Sequence, residues 1–369
     1  MGLFSRAWAS RRSSPKFSEE PIQKPKPPDV ADGERHDPPS GPSPATEYQS
    51  RLAKEQTVFE SCFNVHDLPA IFHYWSNRYV RPKLEAFGFS DPYDFFRVQV
   101  EEKCRPSADR IRIVSLGSGN CDMEVNLASK LRDRSISNFE IECLDLNQAM
   151  LDRGYEDAKQ RGLTSHVTFS KGDFNEWHPR DCYDIVIAHQ SLHHVMNLEG
   201  LFTSIENGLR DDGTFITSDM IGRNGHLRWP EALDLVHEFW IELPEAYRFN
   251  QQLKRHEELY ENWDCSTESF EGIRAQDILP LLVDRFHFHL FIAFGNIIDP
   301  FVDRGFGHNF DAKGEWDRNF IDRVQARDEA EMIAGNIKPT HMLAVMGKHP
   351  VTEMKFHPPL SPEFCIRRP

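Results

Sequence analysis

Gly117-Ser118-Gly119 follows the apolar run Ile111-Arg112-Ile113-Val114-Ser115-Leu116 and precedes a helical segment. Two glycines at such a point let the backbone approach a ligand closely, and the free N–H groups of a helix N-terminus face the same place. Asp145 stands 26 residues past Gly119, at the end of the next apolar run and just before Leu146. A carboxylate there can accept both hydroxyls of a ribose. Gly172-Asp173-Phe174 and His189-Gln190-Ser191-Leu192-His193-His194 end two further runs. An imidazole in the last of these, His193 or His194, is placed to take a proton from a hydroxyl acceptor. Together these residues describe a nucleoside cofactor held beside a polar reaction centre.

The elements that must position them alternate in type. Strand-like runs are expected at Ile111–Leu116, Phe139–Leu144, His166–Phe169, Tyr183–Ala188 and Thr214–Ser218. Helices are expected between them at about Asp122–Leu131, Gln148–Arg161 and Leu198–Leu209, with a turn at Asp211-Asp212-Gly213. Such alternation builds crossover units on a parallel, doubly wound sheet, whose ligands collect beyond the carboxyl ends of the strands. Every motif above lies at such an end. After Met220 the alternation breaks, then resumes with a helix near Ala275–Val283 and strands at Phe286–Phe294 and His341–Met346. The stretch from about Gly295 to Pro339 reads as an irregular insertion. Tyr48–Phe87 reads as two amphipathic helices, placed to cover the ligand edge.

Over about Arg110–Ser218 the glycine loop, ribose acid, Gly172-Asp173-Phe174 and Leu192-His193-His194 arrive in an order and spacing that resemble the class I S-adenosylmethionine-dependent methyltransferase family. The likeness is to bacterial members with a helical insert after the fifth strand. It implies an α/β fold: a doubly wound, Rossmann-like, seven-stranded sheet with an N-terminal helical cap and a helical insert. It also implies S-adenosylmethionine as cofactor. Gly117, Ser118 and Gly119 would touch its methionine moiety, as would His189 and Gln190. Asp145 and Leu146 would hold the ribose, and Asp173 and Phe174 would bracket the adenine. The implied reaction moves a methyl group to a hydroxyl or amine of a small molecule or glycan. Two positions depart from the family's pattern: Ser115 stands where an acid is usual, and Cys121 where a third glycine is usual.

Two other classes compete with this reading: a nicotinamide-dependent oxidoreductase and a non-catalytic S-adenosylmethionine-binding relative. The dinucleotide fingerprint would place Gly or Ala at position 122, and Asp122 there would face a pyrophosphate with a negative charge. A sulfonium cofactor without phosphate tolerates that acid.

Substrate contacts are expected from Tyr74 and Arg78, which are i, i+4 and share a helix face, and from the loop holding Arg223, Asn224 and His226. Arg274, in Glu271-Gly272-Ile273-Arg274, is a further candidate, and Asn296, Asp299 and Arg304 could reach the mouth of the site. His287 and His289 alternate on a strand with no carboxylate pattern around them, so no metal site is assigned.

Composition bounds the rest. Residues 1–46 hold nine of the 24 prolines and read as a disordered arm whose start resembles an acylation signal, with Arg6 where Ser or Thr is required. The expected divisions are then a cap at 47–104, core at 105–221, lid-forming insert at 222–274, end of core at 275–350 and tail at 351–369. A net charge of −15 disfavours nucleic acid as a partner. Seven scattered cysteines and no 18-residue apolar run suit a cytoplasmic chain without a transmembrane segment. Neither the acceptor nor the oligomeric state is legible.

Overall fold

The structure, a computed structural model, describes residues 48–54, 68–267 and 269–368; the arm and its start lie outside the described residues. Residues 48–54 are helical. Helix α1 (Ala70–Trp75) runs through a π turn (Ser76–Val80) into α2 (Arg81–Glu85), and α3 (Pro92–Cys104) follows, capped by the Asp91 carboxylate on the Asp94 N–H.

The core then alternates as the sequence predicts: β1 (Ile111–Leu116), α4 (Asp122–Asp133), β2 (Phe139–Asp145), α5 (Gln148–Gln160), β3 (Val167–Lys171), β4 (Tyr183–His189), α6 (Leu198–Gly208) and β5 (Leu209–Met220). Side-chain amides fix two helix starts: Asn147 accepts from the N–H groups of Ala149 and Met150, and Asn197 from that of Gly200. The expected turn at Asp211-Asp212-Gly213 lies inside β5 as a bulge. Tyr183 pairs with Leu209 while Ile185 pairs with Thr214, so the extra residues are extruded from the ladder.

The insert carries α7 (Pro230–Trp240) and a small hairpin, β6 (Phe249–Asn250) with β7 (Arg255–His256), linked by 3-10 turns. Next come α8 (Ala275–Arg285), β8 (His287–Phe294), α9 (Asp299–Val302), α10 (Glu315–Ala334), β9 (His341–Gly347), β10 (Lys355–Phe356) and α11 (Pro362–Cys365). The sheet order is β10-β8-β9-β5-β4-β1-β2-β3. The seven expected strands are all present, and the two-residue β10 adds an eighth at the edge. Strands β3-β2-β1-β4-β5 are mutually parallel, whereas β9 runs antiparallel to both β5 and β8. Chain order reverses between β1 and β4, so their carboxyl ends open a crevice, and the glycine loop lies there.

The segment expected to be irregular contains α10, the longest helix described. Its buried stripe is Asp317, Phe320, Ile321, Val324, Gln325, Asp328 and Met332, so polar residues interrupt the helical hydrophobic period. Trp75 Nε1 donates to Gln325 at 2.5 Å, Tyr74 to Asp322 at 2.8 Å, and Lys83 to Glu329 at 2.5 Å. The α1–α2 rod is thereby fastened to α10 rather than laid over the glycine loop.

Asp328 on α10 accepts the N–H groups of Asn296 and Ile297 and thus ties down the turn after β8. Burial and, after it, the nearby Asp299 push its carboxyl up to about 8. An unfolded aspartate releases its proton near roughly 3.9. Between these values the native state binds more protons than the unfolded one, so stability falls as pH rises from about 4 through about 8. Thermal melts should therefore show Tm falling from pH 6 to pH 9. Asp328→Asn should start lower, having lost an acceptor, and fall less steeply. Parallel curves for the two proteins would refute the assignment.

Candidate active site

The glycine loop leaves β1 with Gly117 and Ser118 both donating to the Leu144 carbonyl, at 2.8 and 3.1 Å. Gly117 has φ +72°, and a Cβ there would stand 2.6 Å from the Ser191 Cβ and 3.3 Å from the Phe174 ring. Only glycine leaves that gap open. Gly119 donates to Asp145 Oδ2 at 2.7 Å, and Asn147 donates to Oδ1 at 2.8 Å. The buried carboxylate is thus oriented at the end of β2, and each of its oxygens can accept more than one hydrogen bond. Leu146, beside it, is half-buried.

Asp173 accepts the Asn175 N–H at 2.9 Å and also the hydroxyl of Tyr48, whose ring lies 5.4 Å from that of Phe270. Arg51 donates to the Ser269 carbonyl at 2.6 Å. Residues 48–54 therefore contact the turn after β3 and the loop before α8. Ser115 donates to the buried Glu124 at 2.5 Å, so an acid from α4 comes up beneath the loop where the family's usual acid is missing from β1. Nothing in the β1 pattern signals this; only the helical spacing of Glu124 from the loop could have.

Beyond β4 the chain turns through Gln190, at φ +53°, whose N–H donates to the Ser218 carbonyl. Ser191 Oγ donates to the Leu116 carbonyl at 2.7 Å, locking this turn to the end of β1. Asp219, fully buried near the end of β5, accepts the N–H groups of Ser191, Leu192 and Met220 as well as His193 Nδ1, the last at 2.6 Å. His193 is also fully buried, and its Nε2 lies 3.5 Å from Glu271 Oε1. His194 Nε2 lies 3.5 Å from Glu271 Oε2, and His226 Nε2 is hydrogen-bonded to Glu271 Oε1 at 2.8 Å. Three imidazoles thus surround one carboxylate.

Burial opposes charge on each member, and the outcome depends on its partners. At His193 the carboxylates of Asp219 and Glu271 outweigh burial and push the imidazole up to about 10. At Glu271 the neighbouring histidines outweigh burial and hold the carboxyl well below its usual range. At His226 burial prevails over Glu271 and lowers the pKa.

Close loop packing brings this cluster together. Gly225 donates to the Gly272 carbonyl at 2.8 Å, and both residues have positive φ. A Cβ on Gly225 would collide with Asp264, and one on Gly272 would stand 3.0 Å from the His226 ring. The glycines around His226 and after Glu271 were visible in sequence, but their pairing is tertiary.

His226 and Glu271 line a cavity of about 160 Å³, together with Met220, Arg228, Tyr260 and Asp299 among others. Arg228 NH1 lies 2.9 Å from Asp299, which also accepts from Thr340 at 2.8 Å and lies 3.2 Å from His341 Nε2. Arg228 and Asp299 are both buried. Burial pushes the Asp299 carboxyl up, but His341 and Arg228 hold it below the usual range.

Several expected site residues do not come to this cavity. Tyr74 and Arg78, expected as substrate contacts, pair with Asp322 on α10. The face they share is the one that docks on that helix. Arg223 lies over the Trp229 ring at 5.1 Å, and Asn224 exchanges hydrogen bonds with Gln276. Arg274 pairs with Glu199 at 2.6 and 2.8 Å and with Asp277 at 2.8 Å. The His189 ring packs against Phe96 and Tyr93 and borders a smaller cavity beside α1 and α2. Asn296 donates to the Lys338 carbonyl, and Arg304 is buried. Of the substrate candidates in the insert, His226 alone reaches the carboxylate cluster. The residues missed from sequence are Asp219, Glu271, Arg228 and Glu124.

A family described as a methyltransferase domain matches residues 107–279. A trans-aconitate 2-methyltransferase from Yersinia pseudotuberculosis is 27% identical over 127 residues, 33% of this chain. The match spans only 46%, about half, of that relative's length. An O-methyltransferase of a Brevibacillus brevis trans-AT PKS multienzyme, solved with S-adenosyl-L-homocysteine, aligns at TM-score 0.39 and 14% identity over 68% of this chain and 71% of its own. An S-adenosylmethionine-dependent methyltransferase from Clostridium acetobutylicum aligns at 0.30 and 18% identity over 42% and 61%.

Proposed function

We propose that this chain, whose residues 107–279 match a methyltransferase-domain family, is a class I S-adenosylmethionine-dependent methyltransferase that moves a methyl group to a hydroxyl or amine of a small polar acceptor or glycan held in the cavity beside His226 and Glu271. The observation that carries this reading is continuity: Ser191 abuts the glycine loop, and the next residues, Leu192-His193-His194, lead into the Glu271 cluster that forms one cavity wall. A donor methyl at the loop and an acceptor in the cavity would meet there.

The residues present fit the cofactor. Gly117 keeps open a gap that a Cβ would close, and Asp145 is held at the strand end by two backbone N–H groups. In this reading Asp145 and Leu146 hold the ribose, Gly117 to Gly119 with Gln190 line the methionine portion, and Asp173 and Phe174 flank the adenine. S-adenosylmethionine supplies an electrophilic methyl on a sulfonium. The protein's part is to align the acceptor in line with that methyl and to receive the acceptor's proton. His226, which burial keeps neutral beside Glu271, is the group that would receive it, and Asp219 acts as a positioning residue by fixing the His193 ring.

The test is cofactor binding. S-adenosylhomocysteine should raise the melting temperature, as a ligand of the native state must. Asp145→Ala should weaken its binding at least about tenfold, the loss of roughly 1.5–3 kcal/mol of hydrogen bonding to a charged group. Calorimetry giving equal affinity for the variant would remove Asp145 from the ribose site.

A further inference from the structure

The geometry points to a divalent transition-metal site formed by His193, His226 and Glu271 at the inner wall of the acceptor cavity. The three come from separate segments: the turn after β4, the turn after β5 and the loop before α8. One ligand atom from each lies within 4.8 Å of the others. Bonds of about 2.0–2.2 Å to imidazole nitrogen and carboxylate oxygen space neighbouring ligand atoms by roughly 2.9 Å in an octahedron and roughly 3.4 Å in a tetrahedron. The observed separations from Glu271 Oε1 are 2.8 Å to His226 Nε2 and 3.5 Å to His193 Nε2. Both separations from the carboxylate thus fall at the ligand spacing of such an ion, and the two imidazole nitrogens lie within 4.8 Å of each other.

A second, independent feature supports the site. His193 Nε2 is fully buried and has no hydrogen-bond partner, and it points at Glu271. Its other ring nitrogen is bonded to Asp219, which keeps a proton on Nδ1, so an ion that displaces the Nε2 proton meets a lone pair directed at the cluster. A carboxylate behind a ligating imidazole is the usual outer support of a metal-binding histidine. Asp219 is itself pinned by three backbone N–H groups, so the ring cannot rotate away cheaply.

Two imidazoles and a carboxylate suit zinc, cobalt or iron(II) rather than magnesium or calcium. Two of the ligands, His226 and Glu271, face the cavity, so the open coordination positions face the acceptor. The inference rests on the methyl-acceptor reading of that cavity and deepens it: the acceptor is an oxygen donor, a hydroxyl or carboxylate able to coordinate the ion.

The experiment titrates full-length, chelator-stripped protein with Co²⁺, followed by visible ligand-field absorption, and with Zn²⁺ by calorimetry; S-adenosylhomocysteine binding is measured on the same samples. One equivalent of either ion should bind. His226→Ala and Glu271→Ala should each weaken binding at least about tenfold, and Asp219→Asn by about 10- to 100-fold. His226→Ala alters a half-buried loop residue, so its melting curve gives a folded control. Failure to bind either ion, equal binding by the variants, or equal affinity for Mg²⁺ would overturn the metal site. If S-adenosylhomocysteine still binds in those cases, the methyltransferase reading stands without the metal. If it does not, that reading fails as well.

Discussion

Glu271→Gln is expected to lower methyl transfer by about 10²-fold or more while leaving S-adenosylhomocysteine affinity within about threefold. Glutamine keeps the size and reach of the side chain and removes only its charge. That charge faces His226 at 2.8 Å and His193 and His194 at 3.5 Å, so all three imidazoles share it. Removing it disorders the group placed to receive the acceptor's proton, whereas the glycine loop and Asp145 keep their contacts. Initial rates with an acceptor that the wild type turns over, set beside calorimetry with S-adenosylhomocysteine, check both halves. Unchanged turnover would reduce the cluster to packing.

Arg228→Met is expected to destabilise the fold by about 3–5 kcal/mol, the cost of leaving one partner of a buried ion pair uncompensated. Arg228 and Asp299 are 6% and 5% exposed, so water cannot replace the guanidinium, and Thr340 and His341 are the other groups seen against the carboxylate. The double variant Arg228→Met with Asp299→Leu should recover much of that loss, because both charges then leave together. Urea unfolding of the three proteins measures the pattern. Additive losses in the double variant would show that the pair is not coupled.

Much of the sheet was legible because parallel strands buried on both faces read as short apolar runs ended by Gly or Asp. Ile111–Leu116 and most of its successors therefore appear within a residue or two of their expected bounds, whereas β5 starts at Leu209, five residues before its expected start, and carries Asp211-Asp212-Gly213 as a bulge and not a turn. Helix α10 was hidden because Asp317, Gln325 and Asp328 occupy its buried stripe, which conceals the period on which an amphipathic reading depends. Tyr74 and Arg78 were correctly placed on one face, but a helix wheel does not say what that face meets. The same limit applied at the site. His226 and Glu271 each sat in a conspicuous glycine-flanked motif, yet their meeting depends on two loop crossings, Gly225 on Gly272 and the Asp219-anchored turn, that no local pattern encodes.

The cavity's lining has an evolutionary consequence. Of the residues around it, Met220 and His341 belong to the main sheet, at the end of β5 and the start of β9; the others come from the segments at 226–271 and 299–306. The glycine loop, Asp145 and the turn after β4 belong to the sheet's other half and share none of that lining. If that cavity takes the acceptor as proposed, substitution, lengthening or exchange of the two insertions would redirect the chain to a different acceptor while the half carrying the glycine loop stays untouched, which would make acceptor choice a modular trait.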